Sequence, residues 1–180
     1  MSALAIRDAT ADDAEAICAI WNPIIRDSVV TFNPDPRSPA EVARLIATRQ
    51  EAGHAFLVAR LSGQMIGFAS YSQFRGGPGY ARTMEHTINL APQARGRGAG
   101  RQLLAALEAH AIAAGHHVMV AAVTAENAGS VAFHRAMGYQ SVGMMPQVGW
   151  KFGRFHDLVL MQKTLSAGAR PSAAAIDSAK

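Results

Sequence analysis

Apolar residues recur along this chain with two periods, and the places where one gives way to the other outline its elements. After a short apolar start at Leu4-Ala5-Ile6, Thr10-Ala11-Asp12-Asp13 has the form of a capping box, with acids near the positive end of a helix. Ile17, Ile20, Trp21 and Ile24 follow at helical spacing. Residues 33–37 form a proline-containing loop. It runs into Ser38-Pro39-Ala40-Glu41, where serine caps, proline takes the first helical position and glutamate closes the box. Val42, Leu45 and Ile46 give this second helix its inner face. The period then drops to that of strands: 55–61 and 65–72 pair through a Ser62-Gly63 turn. Arg75-Gly76-Gly77-Pro78-Gly79 breaks regular structure, and 83–90 reads as a third strand that ends before Pro92.

In the second half, Leu103, Leu104, Leu107 and Ile112 mark a helix over 98–114. Residues 118–123 are a continuous apolar run suited to a strand buried on both faces. A helix over 128–137 stops at Gly138, and 143–148 and 158–161 are two further strand-like runs around a turn at Gly153. This order predicts one α/β (α+β) domain over residues 1–165, built on a single mixed, mostly antiparallel sheet flanked by helices. The alanine- and serine-rich stretch 166–180 reads as a disordered tail.

Composition narrows the class. At 180 residues, 49% hydrophobic and 17% charged, the chain suits one globular domain and is short for two. No apolar run approaches the roughly 20 residues that span a bilayer, and no basic stretch followed by a long apolar core opens the chain, so a cytoplasmic protein is expected. Cys18 is the only cysteine, which excludes an intramolecular disulfide. Beside the stripe of the first helix it reads as a small buried thiol. The net charge of +4 and the pI near 9.7 rest on arginine, since lysine occurs only at Lys151, Lys163 and Lys180. That charge is too modest and too dispersed to select a partner. His110, His116 and His117 lack a carboxylate or cysteine to complete a ligand set, so no metal is expected. No aromatic platform accompanies the arginines, so no nucleic acid is expected either.

The most informative segment is Leu90-Ala91-Pro92-Gln93-Ala94-Arg95-Gly96-Arg97-Gly98-Ala99-Gly100-Arg101. It lies between a strand and a helix, where free backbone N–H groups and the helix dipole favour an anion. Three alternating glycines beside three arginines exceed what a tight turn requires, and pyrophosphate is the anion they suit. Two ligands could supply it. A dinucleotide fold uses G-x-G-x-x-G and an acid about 20 residues on; here the spacing is G-x-G-x-G, in mid-chain after a hairpin, with Glu126 as a late acid.

Arg95-x-x-Gly98-x-Gly100, following a strand and Pro92, resembles the acetyl-CoA pyrophosphate loop of the GNAT superfamily of N-acetyltransferases. Asn127, and then Gly138-Tyr139, extend the resemblance, with His134 where that superfamily carries a tyrosine general acid. Thr31-Phe32-Asn33-Pro34, Phe74-Arg75, Tyr80 to Thr87, Phe133 to Tyr139 and Trp150 to Asp157 resemble one branch, the phosphinothricin and methionine-sulfone type N-acetyltransferases. The resemblance spans roughly residues 4 to 165, and Asn89 departs from it where the branch often has tyrosine.

The resemblance implies direct transfer of acetyl from acetyl-CoA to the amine of a small amino-acid-like substrate, in a homodimer. It implies a cofactor site made of the backbone of Ile88, Asn89 and Leu90, of Arg95, Gly96, Arg97, Gly98, Ala99, Gly100 and Arg101, and of Asn127 and Ser130. Thr31, Phe32, Phe74, Arg75, Tyr80 and Glu85 are the candidate substrate contacts, with Arg75 suited to a carboxylate. An alkylammonium must lose a proton before it can attack, so Glu85 is the candidate base; its structural alternative is an ion pair with Arg82 or Arg75. His134 can act as acid, as base or as a structural residue. A CoA-binding sensor without turnover and a dinucleotide-dependent oxidoreductase are the alternatives at this point.

Overall fold

A computed structural model describes residues 4–94 and 96–165. Arg95 and the expected tail at 166–180 lie outside the described residues. Seven strands form one sheet in the order β1-β2-β3-β4-β5-β7-β6. In chain order these are β1 (Leu4–Asp8), α1 (Ala14–Asp27), α2 (Pro39–Glu51), β2 (Phe56–Leu61), β3 (Gln64–Gln73), β4 (Thr83–Leu90), α3 (Ala99–Ala113), β5 (Val118–Thr124), α4 (Ala128–Ala136), β6 (Gln140–Lys151) and β7 (Arg154–Thr164). All neighbours are antiparallel except β4 and β5.

The helix starts follow their local chemistry. Thr10 and Asp13 form a capping box ahead of α1, and Ser38 and Glu41 form one ahead of α2 with proline next to the cap. The β2–β3 turn places Ser62 and Gly63 at φ 51° and 80°, the positive pair that a two-residue hairpin of matching twist needs. The break at 75–79 does contain one short 3₁₀ turn, Pro78–Tyr80. β6 and β7 are each longer than the apolar runs that signalled them, because most of β6 faces solvent and carries little period.

Side-chain alternation splits the core in two. On one face Phe56, Val58 and Phe68 meet Ile17, Trp21 and Ile25 of α1 and Val42 and Ile46 of α2. On the other, Leu57, Ala59, Tyr71, Met84, Met119 and Ala121 meet Leu103, Leu104 and Leu107 of α3. Each fully buried leucine contributes about 1.5–3 kcal/mol. Between these two cores the sheet opens. β4 and β5 pair only at Thr83↔Val118, Met84↔Met119 and Glu85↔Val120, although both strands continue. Beyond Glu85 they splay apart, and the edge of β4 that faces β5 has no strand partner over 86–90.

Candidate active site

A pocket of about 360 Å³ passes through this splay. On the α1/α2 side it is lined by Trp21, Val30, Thr31, Phe32, Arg37 and Glu85; on the α4 side by Asn127, Ser130 and His134; and between them by Ile88, Asn89 and Ala121 to Val123. Of the expected substrate residues, Thr31, Phe32 and Glu85 line it, while Phe74, Arg75 and Tyr80 belong to the connection that enters β4. Arg75 lies over its neighbour Phe74.

Met84 joins the α3-side core, so Glu85, one residue on, projects to the opposite face. Its side chain makes no ion pair with Arg75 or Arg82 among the described residues. Burial raises its carboxyl above the ordinary carboxylate range. A half-buried acid at a raised pKa, with no ion-pair partner among the described residues, has the chemistry to take a proton from an ammonium.

Arg37, which spacing did not single out, stands with it. The Asn22 side chain clamps the Arg37 backbone from both sides, accepting from its N–H and donating to its carbonyl, each at 2.9 Å. The buried thiol of Cys18 also donates to that carbonyl, at 3.4 Å. The guanidinium is thereby laid over the Trp21 ring, 4.4 Å from its centroid, with Nε buried and without a hydrogen-bond partner.

The wall made by Val30, Thr31 and Phe32 is fixed from β6 and β7. The ammonium of Lys151 donates to the carbonyls of Ile25, Ser28 and Thr31 at 2.5, 2.8 and 2.8 Å, at the negative end of α1. Phe32 stacks on His156 with centroids 5.7 Å apart and covers Gly149. Any Cβ at 149 would lie 2.3 Å from that ring. His156 bridges the Glu126 carboxylate (2.6 Å) and the Lys151 carbonyl (3.0 Å), and Arg154 grips the same carboxylate. Glu126 is thus spent on this corner.

At the other end, Asn127 caps α4, its side-chain oxygen accepting from Ser130 N–H at 3.0 Å. Ser130 Oγ lies 3.3 Å from His134 Nδ1. His134 is buried and meets His86 of β4, Nε2 to Nε2, at 3.0 Å, and burial lowers its pKa. His86 in turn reaches the Val120 carbonyl, where the β4–β5 ladder stops, at 3.0 Å.

The glycine loop reaches α3 through Gly98, whose φ of 78° is left-handed and suits glycine. Among the described residues no side chain caps this helix, and its first helical bond runs from Gln102 N–H to the Gly98 carbonyl. The N–H groups of Ala99, Gly100 and Arg101 are therefore left for a ligand, beside the exposed Arg97 and Arg101. The open edge of β4, the uncapped helix and the half-buried acid together fit an acyl-CoA thioester, its pyrophosphate and an amine. They define an acyl-CoA-dependent acyltransferase.

Residues 21–139 match the model of the acetyltransferase (GNAT) family. The L-methionine sulfoximine/L-methionine sulfone acetyltransferase of Pseudomonas aeruginosa is 42% identical over 161 residues, which are 89% of this chain and 94% of that one. A phosphinothricin N-acetyltransferase of Alcaligenes faecalis is 35% identical over 92% of this chain and 85% of its own. The structure of an acetyltransferase from Salmonella typhimurium with its cofactor acetyl-CoA superposes with a TM-score of 0.90 at 35% identity, covering 96% of this chain and 99% of that one. The chain belongs to the GNAT acetyltransferase family and is an acetyl-CoA-dependent N-acetyltransferase. The dinucleotide reading of the glycine loop falls with that assignment.

Sequence spacing missed Trp21, Arg37 and the role of His86. Trp21 carries the same helical period as ordinary core, and Arg37 sits in a loop whose path is set by a side chain fifteen positions earlier. Nothing local marks either one.

Proposed function

We propose that the acetyl acceptor is the α-amine of a small amino acid or analogue, of the phosphinothricin, methionine sulfone or methionine sulfoximine type. The observation that carries this reading is the shared pocket of Glu85 and Arg37, an acid without a salt-bridge partner among the described residues and a cation held flat on Trp21. One receives an ammonium and the other an anionic group, in a volume proper to small-molecule sites. Thr31 and Phe32 shape the wall, while Phe74, Arg75 and Tyr80 form the outer entrance.

Glu85 orients the ammonium and passes its proton to solvent, as its raised pKa permits. Acetyl-CoA, when bound, supplies the electrophilic thioester carbonyl. The backbone of 88–90 on the open edge of β4 holds its arm as an added strand would and polarises that carbonyl. Asn127 and Ser130 flank the arm, the loop 95–101 receives the pyrophosphate, and His134 serves the leaving thiolate.

We assign the protein to the cytoplasm and to a homodimer. Among the described residues no helix is long and apolar enough to cross a membrane. Val142, Met144, Val148, Trp150, Phe152 and Phe155 of the β6–β7 edge are 48–60% exposed, an apolar surface that a second copy would cover.

Thiol release from acetyl-CoA with methionine sulfone, methionine sulfoximine and phosphinothricin, compared with amines that lack an anionic group, tests the substrate. Turnover on the amino acids, with the plain amines slower by tenfold or more, is expected. Equal turnover on both sets, or none on the amino acids although acetyl-CoA raises the melting temperature, overturns it.

A further inference from the structure

We propose that His86 and His134 hold one proton in common, and that His86 is the positioning residue that keeps His134 charged at the throat of the pocket. The role in catalysis rests on the reading that His134 serves the leaving thiolate; the shared proton itself rests on hydrogen-bond geometry. His86 Nδ1 lies 3.0 Å from the Val120 carbonyl oxygen, and His134 Nδ1 lies 2.8 Å from the Ser130 carbonyl oxygen. A carbonyl can only accept, so each Nδ1 carries a hydrogen. The remaining nitrogens, the two Nε2 atoms, face each other at 3.0 Å.

With both rings neutral, two lone pairs would meet across that gap. One added proton turns the contact into a charge-assisted N–H···N hydrogen bond. Moving a hydrogen from Nδ1 to Nε2 within one ring would instead aim a bare nitrogen at a carbonyl. Ser130 Oγ could donate to such a nitrogen on His134, but it is farther, at 3.3 Å, than the carbonyl at 2.8 Å. A second proton would set two N–H groups against each other across that 3.0 Å gap, and burial and the charge on His134 hold His86 down to about 3. Burial pulls His134 down on balance, against the Ser130 carbonyl and the negative charge of Glu108, so it is the hydrogen bond between the rings that holds the proton. One proton for two rings satisfies every nitrogen, and the two rings titrate as a unit.

The surroundings suit a single charge. From α3, buried Glu108 faces His134, with Oε2 paired to Lys163 of β7 at 2.7 Å. Tyr139 packs its ring against both imidazoles, at 5.5 and 5.3 Å, and its hydroxyl is raised by burial and by Glu108. Tyr71 of β3 pairs across from His86, Glu85 projects from the other face of β4, and Arg135 of α4 is exposed. β5 offers the Val120 carbonyl.

In the reaction the amine nitrogen bonds to the acetyl carbon and the carbon–sulfur bond breaks. The ammonium loses two protons, one before attack and one as the amide forms, each through Glu85 to solvent; the proton of the pair neutralises the thiolate, and the pair recovers one from solvent. Activity that depends on the pair is therefore present below its pKa and lost as pH rises through it.

Two measurements test this. Nitrogen-15 NMR of the histidines in the full-length, ligand-free protein at pH 7 should show both Nδ1 atoms protonated, both Nε2 atoms intermediate, and one proton lost for two rings on raising the pH. Separate neutral tautomers at pH 7 overturn the proposal. In His86→Phe the alkaline limb of kcat should move down by about one pH unit or more, with KM for acetyl-CoA unchanged. An unmoved limb in the folded variant also overturns it. The acid limb set by Glu85 should persist in both proteins; its absence would strike the reading of Glu85 and leave the histidine pair standing.

Discussion

At the cofactor end of the pocket the chain presents a nearly continuous run, from the open edge of β4 through the glycine loop into α3. At the substrate end Trp21, Arg37, Phe32 and Glu85 arrive from four places and are held by residues that never enter the pocket: Asn22 behind Arg37, Lys151 behind the 28–31 loop, His156 behind Phe32. On the proposed reading the first end recognises groups common to every acyl-CoA through backbone N–H groups, which only a proline substitution removes. The second, on the same reading, distinguishes one amine from another with side chains, of which Arg37 and Phe32 have separate supports. Binding of acetyl-CoA and choice of amine should therefore fail independently.

Glu85 is the residue that joins the two ends, and its loss should have the largest effect. Glu85→Gln keeps the shape and removes the base, so kcat/KM should fall by about 10²–10⁴-fold. Acetyl-CoA affinity, read by calorimetry, should stay within about twofold of the parent. The pH profile supplies the sign. A base works when ionised, and burial raises this carboxyl, so parent activity should fall as pH drops through a limb above the ordinary carboxylate range. The Gln variant should lose that limb. An unchanged limb would assign the base elsewhere.

Gly98→Ala separates the cofactor end. A methyl group at this position meets no atom within 4 Å, so the whole cost is the left-handed backbone at φ 78°. That cost is about 1–2 kcal/mol, and KM for acetyl-CoA should rise about tenfold if binding must restore the loop. KM for the amine should not move. A rise in both would mean that the two ends are coupled through the splay.

The same contrast explains what could be read from the chain. Capping boxes at Thr10 and Ser38, the Ser62-Gly63 turn and the strand at Thr83–Leu90 are local, and they stand in the structure where their residues indicate. The glycine loop was legible as a strand-to-helix connection because its signal lies within twelve consecutive residues. β6 was legible only in part: a strand with one face on solvent and a bulged register loses its period. Arg37 was not legible because its place depends on Asn22 and Trp21, and His86 was not because its partner lies 48 positions away.

Arg37→Met tests the substrate end and carries the smallest expected effect. The backbone clamp by Asn22 uses only main-chain atoms of residue 37, and a methionine side chain can still lie on Trp21, so the fold should tolerate the change. What disappears is a half-exposed cation. Solvent screens such a charge to about 1 kcal/mol, so KM for the amino-acid substrate should rise roughly fivefold. KM for acetyl-CoA and kcat should stay level. Arg75→Met is the paired measurement, because the entrance arginine offers the same chemistry from outside the pocket. A larger KM effect at 75 than at 37 would move the anion contact to the entrance loop. The clamped arginine would then serve the wall, and the loop that enters β4 would select the amine.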